Sequence, residues 1–488
     1  MPYKNNPQVH ESFDIKEELL DERIKLLRQK RYFSESESCS LIINNENYRV
    51  KDYSAFGVAI YCPPKTTLKD ELHDISFIYN DVEIAHLDLL KSRVEIQPDG
   101  DVIVAFEIIN DPINLDKLEA VNAANQVIQR QQHYVKSAEN IPAEIKSQVY
   151  EVKDWLEHLM AEINQIEENI NPTNNKTVLN YEETIITSIA KYLGQVFPLV
   201  LDKYAETLKA HSAETGKLAI DFLREKLSHL IYQAPFSDRV FNKPLGYAGD
   251  YEMMNLIYKQ ENVGKSLFAR CLHRYYINEP AAQAVRNRAD YLVEVITKSL
   301  AMAPKDRPLR ILSVACGPAM EWQKMIPLLA DIDQEIIVDL LDQDKQALLA
   351  TQNQLRQLCR QHSKPFFFQF INKAIKNIIV RGTEYKDYDL VYSAGLFDYL
   401  SDVVANTAAR KIFESVRPGG KLIIGNFNAN NPNQVLMDYA LDWKLIYRSD
   451  KELLSLFSDI GGDLSIEKEK LNINLFCVIK KNDETAEK

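Results

Sequence analysis

The sequence predicts an α/β domain with a parallel sheet in its C-terminal part, preceded by a helical region and a small β-barrel. From about residue 306 onwards, short apolar runs alternate with polar helical segments, as in a parallel sheet whose strands are joined by helices. Residues 40–109 contain six short strand-like runs separated by turn residues, and regular spacing of this kind is typical of a small barrel. An apolar repeat with helical spacing lies between these regions.

Composition is that of a soluble globular protein. Hydrophobic residues make up 45% and charged residues 26% of the 488 residues, and the net charge is −12. Nucleic-acid binding is not expected, since it depends on neutralising phosphates. No apolar run approaches the ~18 residues of a membrane span and no signal-peptide core is present, so we expect a cytoplasmic protein. Six scattered cysteines predict neither a disulfide framework nor a metal site.

Residues 309–344 carry the most informative pattern. Ile311, Leu312 and Val314 form a short buried strand, a turn of small residues follows, and a second apolar strand ends at Asp342. A strand, a tight turn, a helix and a strand ending in an acid are typical of a nucleotide-binding βαβ unit. In such units the acid, roughly 20 residues after the turn, accepts hydrogen bonds from ribose hydroxyls.

The segments that follow resemble the class I S-adenosylmethionine-dependent methyltransferases, which have a Rossmann-like fold. ACGPAMEW, YDLVYSAGLFDYL and RPGGKLIIGNF carry the resemblance, which covers about residues 308–481. It implies S-adenosylmethionine as cofactor, with Asp342 on the ribose. The other implied cofactor residues are Ser313, Ala315, Cys316, Gly317, Pro318, Ala319, Ala394 and Gly395.

A narrower resemblance reaches back to about Leu179. KPLGYAGDYEMM, SAGLFDYL, GNFNANNP and DWKLIYR are similar to segments of methyltransferases assigned to the synthesis of 3-hydroxypalmitic acid methyl ester, a bacterial signalling molecule. This resemblance implies a small-molecule acceptor, and specifically the carboxylate of a hydroxy fatty acid.

Two departures from the family pattern concern the cofactor site. Ser313 stands where the first strand usually ends in an acid, and Ala315 and Ala319 replace glycines. We expect both alanines to keep negative φ angles, where alanine costs little. Glu321 is proposed to hold the cofactor's ammonium group; the alternative is an ordinary acid in the first turn of a helix. Arg288 is proposed to reach the cofactor's carboxylate.

The acceptor determines which catalytic groups are needed. A carboxylate is ionised at pH 7 and needs no general base, and Arg448 is the candidate to hold it. A neutral hydroxyl or amine would instead need Asp398 or Tyr399 near the methyl group. We expect the walls of the acceptor site to come from the strand ends and from a loop that covers the site. The alternative is that this loop is a rigid connection between domains. These wall and lid candidates are Tyr247, Asp250, Tyr251, Phe397, Asn426 and Phe427.

The barrel region contains DYSAFG, which fits the D/N-x-S-x-x-G signature and resembles PilZ domains through Asp52, Ser54 and Gly57. This resemblance implies cyclic di-GMP binding. The arginine arm of that family pairs two guanidinium groups, and here Arg28 and Arg31 stand one position closer than usual. A structural barrel preceded by a basic helix face is the alternative.

Residues 145–170 place apolar side chains at alternating four- and three-residue steps, the seam of a coiled coil. The seam predicts either a hairpin with the preceding helix, broken at Pro142, or a homodimer. The predicted segments are 1–112, PilZ-like barrel with an N-terminal helix; 113–170, helical hairpin or coiled coil; 177–305, helical lid; 306–482, Rossmann-like methyltransferase domain; and 483–488, disordered tail.

Taken together, the sequence predicts a methyltransferase acting on a small carboxylate and regulated through its barrel. Two other interpretations stay open. One is an O- or N-methyltransferase of another metabolite or of a protein. The other is a cyclic di-GMP effector whose methyltransferase fold is not catalytic.

Overall fold

The computed structural model describes residues 32–33, 39–64, 66–97, 102–170, 175–329, 334–365, 367–382 and 384–483. The chain forms two compact units, Met1–Glu139 and Asn140–Lys488. The predicted fold class is confirmed, because a β-barrel, a helical region and an α/β sheet follow one another along the chain. The predicted N-terminal helix, with Arg28 and Arg31, lies outside the described residues.

The first unit contains a closed antiparallel barrel of six strands. The strands pair in the order β3, β2, β5, β6, β7 and β4, and β3 also pairs with β4, which closes the barrel. Closure leaves no free sheet edge. The strands of this unit are β1 (Tyr32–Phe33, paired with β3), β2 (Cys39–Ile43), β3 (Glu46–Ser54), β4 (Gly57–Cys62), β5 (Glu71–Tyr79), β6 (Val82–Ile96) and β7 (Val102–Ile108).

The three residues of the PilZ signature share one hairpin of this barrel. Ser54 pairs with Gly57 across a two-residue turn, and Asp52 pairs with Ala59. A side chain at position 57 would place its Cβ 3.2 Å from the carbonyl oxygen of Phe106, so glycine suits this close approach. Asp52 and Ser54 are buried. Cyclic di-GMP binding stays a prediction.

Two helices flank the boundary between the units. Helix α1 (Leu115–Glu139) packs on the barrel, where Leu118 is buried and Lys117 Nζ donates to the carbonyl oxygens of Glu83 and Ile84, both at 3.0 Å. Helix α2 (Ala143–Asn169) begins after Pro142 and belongs to the second unit. The predicted break at Pro142 therefore lies close to the boundary between the units.

The apolar seam of α2 is covered within its own unit. Ile145, Val149, Val152, Leu156 and Ile163 are buried, and α2 packs against α3, α4 and α7. A homodimer through this helix stays a prediction and would need other residues of α2. The helices of this region are α3 (Asn175–Lys209), α4 (Ala213–Ile231), α5 (Pro235–Asn242), α6 (Tyr251–Lys259), α7 (Leu267–Asn278) and α8 (Pro280–Met302).

Within the described residues, one stretch of helix, Asn180–Lys209 of α3, has the length and composition of a membrane span, with a mean hydropathy of 1.4. Core helices of soluble proteins pass the same test. Leu193, Phe197 and Leu201 on this stretch are buried, and α3 packs against α2, α4 and α7. Its apolar face therefore contributes to the core of the helical region.

The C-terminal sheet has the order β10, β9, β8, β11, β12, β14 and β13. The first five strands in that order are parallel, and β14 runs antiparallel to both neighbours. Its strands are β8 (Leu309–Val314), β9 (Ile336–Asp342), β10 (Phe368–Asn372), β11 (Tyr388–Ser393), β12 (Val416–Phe427), β13 (Asp463–Lys468) and β14 (Asn474–Lys480). The order reverses between β8 and β11, where open α/β sheets bind their ligands.

Helices cover both faces of this Rossmann-like sheet. One core packs α8, α9 and α10 on the first face around Trp322, and a second core packs α11, α12 and α13 on the other face around Phe397. These helices are α9 (Met320–Leu328), α10 (Lys345–Gln361), α11 (Ile375–Arg381), α12 (Asp402–Phe413) and α13 (Asp450–Phe457). Since both faces are buried, the carboxyl edge of the strands is left to form a ligand site.

Candidate functional site

A cavity of about 420 Å³ lies at the carboxyl ends of β8, β9 and β11. This volume is within the range of small-molecule sites. Most of the predicted cofactor and lid residues meet in its wall: Tyr247, Tyr251, Arg288, Ser313, Ala315, Cys316, Gly317, Pro318, Ala319, Glu321, Asp342, Ala394, Gly395 and Tyr399. The wall also includes Met254, Tyr258, Lys373 and Tyr392, which the sequence analysis missed.

The turn after β8 adopts left-handed backbone conformations. The φ angles are 56° at Ala315, 50° at Gly317 and 47° at Ala319. The expectation that both alanines keep negative φ angles is therefore wrong. Each alanine carries a cost of about 1–2 kcal/mol in this region, because its Cβ crowds the following carbonyl. Strained residues of this kind concentrate at ligand sites.

Asp342, at the end of β9, organises the turn. Its Oδ2 accepts a hydrogen bond from the Gly317 backbone N–H and its Oδ1 accepts one from the Asp344 N–H, both at 2.9 Å. Each carboxylate oxygen has a second lone pair, so both can still accept hydroxyl groups from the cavity. Burial raises the pKa of this carboxyl, while the two backbone donors act in the opposite direction.

Glu321 lies in the first turn of α9 and also lines the cavity. Its position therefore fits both an ordinary acid in the first turn of a helix and an acid that faces the cofactor's ammonium group. Its Oε1 accepts a hydrogen bond from the Tyr392 hydroxyl at 2.7 Å, and that hydroxyl accepts one from Trp322 Nε1 at 2.9 Å. Burial raises the pKa of Glu321, whereas the Tyr392 bond and the charge of Arg288 lower it. The carboxylate is thus held in place by a buried hydrogen-bonded pair.

Arg288 reaches the cavity from α8. Its Nη1 donates to the Ala394 carbonyl oxygen at 2.9 Å, and its Nη2 lies 3.7 Å from the Met254 sulfur. Among the described residues, no ion pair joins Arg288 or Glu321 to an opposite charge within 4.0 Å. The wall therefore holds a buried guanidinium and a buried carboxyl group that are not in direct contact, although the charge of Arg288 acts on Glu321. Arg286, two positions earlier on α8, instead donates to the carbonyls of Ile257 and Ile277.

A loop and helix α6 form the roof of the cavity. Asp250 caps α6 by accepting from the Met253 N–H at 2.9 Å, and its carboxylate pairs with Arg239 Nε at 2.7 Å. Asp250 does not line the cavity, so its part in the roof is to fix the loop. The predicted lid residues Tyr247 and Tyr251 do line it, on either side of this cap.

Tyr399 connects the roof to the sheet. Its hydroxyl donates to the Ala248 carbonyl oxygen and accepts from Trp443 Nε1, both at 2.9 Å. Burial raises the pKa of this phenol, so it stays protonated at neutral pH. A general-base role does not fit this arrangement, because the single hydroxyl proton is already donated to the roof.

The other predicted catalytic and acceptor residues lie behind the cavity wall. Asp398, Phe397, Asn426, Phe427 and Arg448 are all buried and none lines the cavity. Phe397 and Phe427 belong to the hydrophobic interior, and Asn426 Nδ2 donates to the Phe427 and Ile446 carbonyls. These three therefore lie in the interior next to the cavity wall, and their contact with an acceptor stays a prediction.

Asp398 and Arg448 both form hydrogen bonds with neighbouring backbone groups. Asp398 Oδ1 accepts from the Phe427 N–H at 2.5 Å, and burial raises the pKa of this carboxyl to about 6. Arg448 donates to the carbonyls of Phe397 and Leu400, to Asn426 and to Asp402. Neither side chain lines the cavity, so a direct contact with an acceptor stays a prediction for both. The local sequence could not distinguish an arginine that is buried and bonded to backbone carbonyls from an arginine that binds a ligand.

Two further groups bear on the chemistry. The Cys316 thiol lines the cavity, and burial raises its pKa well above the usual range, which argues against a nucleophilic role. In the part of the chain that the structure describes, no cluster of three or more His, Cys, Asp and Glu side chains could hold a metal ion.

No protein-family model and no curated protein matches the chain. Solved structures do match it at low similarity. A possible exported protein from Bordetella parapertussis is 15% identical, with a TM-score of 0.38, over 62% of this chain and 97% of that one. The CMeT domain of the citrinin polyketide synthase is 13% identical, with a TM-score of 0.35, over 56% and 71% of the two chains. Magnesium protoporphyrin IX methyltransferase from Synechocystis, with bound SAH, is 10% identical, with a TM-score of 0.32, over 42% and 88%.

Proposed function

We propose that the second unit is an S-adenosylmethionine-dependent methyltransferase that converts a small carboxylate, of the hydroxy fatty acid class, into its methyl ester. The observation that carries the proposal is the arrangement of charges in the cavity. Asp342 stands at the end of β9, while Arg288 and Glu321 line the same cavity, and within the described residues neither forms an ion pair within 4.0 Å. A ribose joined to a zwitterionic amino acid would satisfy these three side chains.

The residues fit the cofactor at the level of chemistry. Asp342 would accept the ribose hydroxyls, Glu321 would face the ammonium group, and Arg288 would bind the carboxylate through its planar fork. The left-handed turn at Ala315, Gly317 and Ala319 would bring backbone close to the ligand. When bound, the cofactor supplies a methyl group on a positively charged sulfur. The chain's own task is then to align the acceptor and exclude water.

The cavity wall supports an acceptor that arrives already ionised. Within the described residues, no histidine lines the cavity, and its two carboxylates are those assigned above to the cofactor. Five phenols line it, and burial raises the pKa of each: Tyr247, Tyr251, Tyr258, Tyr392 and Tyr399. Lys373 is ion-paired with Glu384. A hydroxyl acceptor would lack a base, whereas a carboxylate needs none.

The acceptor class can be tested with matched ligands. Purified protein is incubated with S-adenosylmethionine and a 3-hydroxy fatty acid, its carboxamide, or the corresponding diol, and the products are identified by mass spectrometry. We expect methyl ester from the acid alone. Methylation of the diol or of the carboxamide, with the acid unreactive, would replace this proposal by the other methyltransferase interpretation.

A second proposal concerns the barrel, where Asp52, Ser54 and Gly57 share one hairpin. We propose that cyclic di-GMP binds there and regulates the second unit. Calorimetric titration of the full chain tests this, with Asp52→Ala as the variant expected to lose binding. If cyclic di-GMP binds while S-adenosylmethionine does not, the chain is a nucleotide effector with a non-catalytic methyltransferase fold.

A further inference from the structure

We propose that Arg448 is a positioning residue for cofactor binding, acting through residues 394–400 and Arg288. The inference rests on the proposed function and concerns the same cavity. It gives a role to a buried arginine that does not itself line the cavity wall.

Arg448 joins the segment after β11 to the end of β12. Its Nη1 donates to the Phe397 carbonyl oxygen at 3.0 Å and to Asn426 Oδ1 at 2.7 Å. Its Nη2 donates to the Leu400 carbonyl oxygen at 2.6 Å. A planar guanidinium can hold several acceptors in fixed directions at once, and a lysine ammonium cannot reproduce that geometry. The side chain is therefore a rigid clamp on the segment.

The backbone on either side of this side chain strengthens the clamp. The Arg448 N–H donates to the Phe427 carbonyl oxygen at 3.0 Å, and the Ile446 N–H donates to the Asp398 carbonyl oxygen at 2.7 Å. The Asp402 carboxylate accepts from Arg448 Nε at 3.0 Å and from Nη2 at 2.8 Å. The Asp402 side chain is exposed, so it holds the clamp from the solvent side.

The clamped segment in turn holds Arg288. Arg288 Nη1 donates to the Ala394 carbonyl oxygen at 2.9 Å. A Cβ on Gly395 would lie 2.9 Å from the same nitrogen, so the guanidinium packs directly on this backbone. A shift of residues 394–400 would therefore move the one buried cation proposed to bind the cofactor's carboxylate. Arg448 would thus act on the ligand through the position of Arg288.

A double-mutant cycle tests this route. Binding of S-adenosylhomocysteine is measured by calorimetry for the wild type, Arg448→Lys, Arg288→Met and the double variant. We expect Arg448→Lys to weaken binding roughly tenfold, the scale of one hydrogen bond to a charged group. In the Arg288→Met background the same substitution should have no further effect. Unchanged affinity in Arg448→Lys, or losses that multiply in the double variant, would overturn the inference.

The controls separate this inference from stability and from the proposed function. Arg307 forms a two-point pair with Asp389 at the opposite end of β11, so Arg307→Lys removes a comparable clamp far from the cavity and should leave affinity unchanged. If Arg448→Lys does not fold, Asp402→Ala replaces it in the cycle. This variant should lose less affinity than Arg448→Lys, and the loss should again disappear in the Arg288→Met background. Unchanged affinity in Asp402→Ala would also overturn the inference. A wild type that does not bind would refute the proposed function itself.

Discussion

At the scale of the residue, the turn after β8 departs most from what the sequence led us to expect. Ala315 and Ala319 keep the left-handed backbone of a glycine-rich turn although neither is glycine. Local preference disfavours this conformation for alanine, so it must be imposed by the surrounding structure, including the bond from the Gly317 N–H to Asp342. Stability is thus lost where a ligand is expected to approach the backbone.

This strain predicts opposite effects for two substitutions. Ala315→Gly should raise the free energy of unfolding by up to about 1 kcal/mol, because relief of the left-handed alanine exceeds the entropy that glycine adds to the unfolded chain. Gly317→Ala should lower it by about 1–2 kcal/mol, although a Cβ at position 317 would meet no atom within 4 Å. Urea unfolding measures both. A destabilised Ala315→Gly variant would contradict the assigned turn.

His273 on α7 predicts an acid-sensitive contribution to stability. It is fully buried, its two ring nitrogens have no hydrogen-bond partner among the described residues, and burial lowers its pKa from 6.5 to about 4. As the pH drops, His273 is therefore protonated in the unfolded chain before it is protonated in the folded chain. The free energy of unfolding should fall by about 3 kcal/mol at most between pH 6.5 and pH 4.

Urea unfolding across this pH range, for the wild type and His273→Leu, isolates the contribution of that histidine. The variant should lose less stability than the wild type between pH 6.5 and 4. Buried carboxyl groups contribute equally to both proteins, so their effect cancels in the comparison. The exposed His158→Leu variant serves as the control. Parallel pH profiles for wild type and His273→Leu would mean that the ring is hydrated or paired in solution.

At the scale of the element, the roof loop and the segment after β11 meet at one hydrogen-bonded contact. The Tyr399 hydroxyl holds Ala248 of the loop, and Gly249 follows with a φ of 85°. A Cβ at position 249 would lie 2.6 Å from that hydroxyl oxygen. The close approach, together with the positive φ, accounts for glycine here in physical terms.

Two neighbouring glycines provide a matched pair for testing this contact. Gly246→Ala and Gly249→Ala place alanine at φ angles of 87° and 85°, but a Cβ at position 246 would meet no atom within 4 Å. Both should lose about 1–2 kcal/mol of stability through backbone strain. Both glycines line the cavity, but Gly249→Ala should weaken cofactor binding more than Gly246→Ala, because it alone breaks the contact with Tyr399. Equal affinities in the two variants would show that the contact does not hold the roof.

At the scale of the whole molecule, sequence reasoning predicted the layers, the turn and the acid at the end of β9, because these follow from short-range patterns. It could not place Arg448, whose partners at Phe397 and Asn426 are distant in sequence and brought close only by folding. It also missed Tyr392, whose partner Glu321 lies 71 residues earlier in the chain. Buried polar clamps and candidate ligand-binding side chains contain the same residue types and are buried alike, and only the folded structure shows which of them line the cavity.

The central claim is that the cavity at the ends of β8, β9 and β11 binds S-adenosylmethionine. Calorimetric titration of the full chain, with Asp342→Ala beside the wild type, tests it most directly. We predict a micromolar dissociation constant for the wild type and a loss of at least roughly tenfold in the variant, since a hydrogen bond to a charged group contributes about 1.5–3 kcal/mol. No binding, or equal binding by both proteins, would contradict the claim.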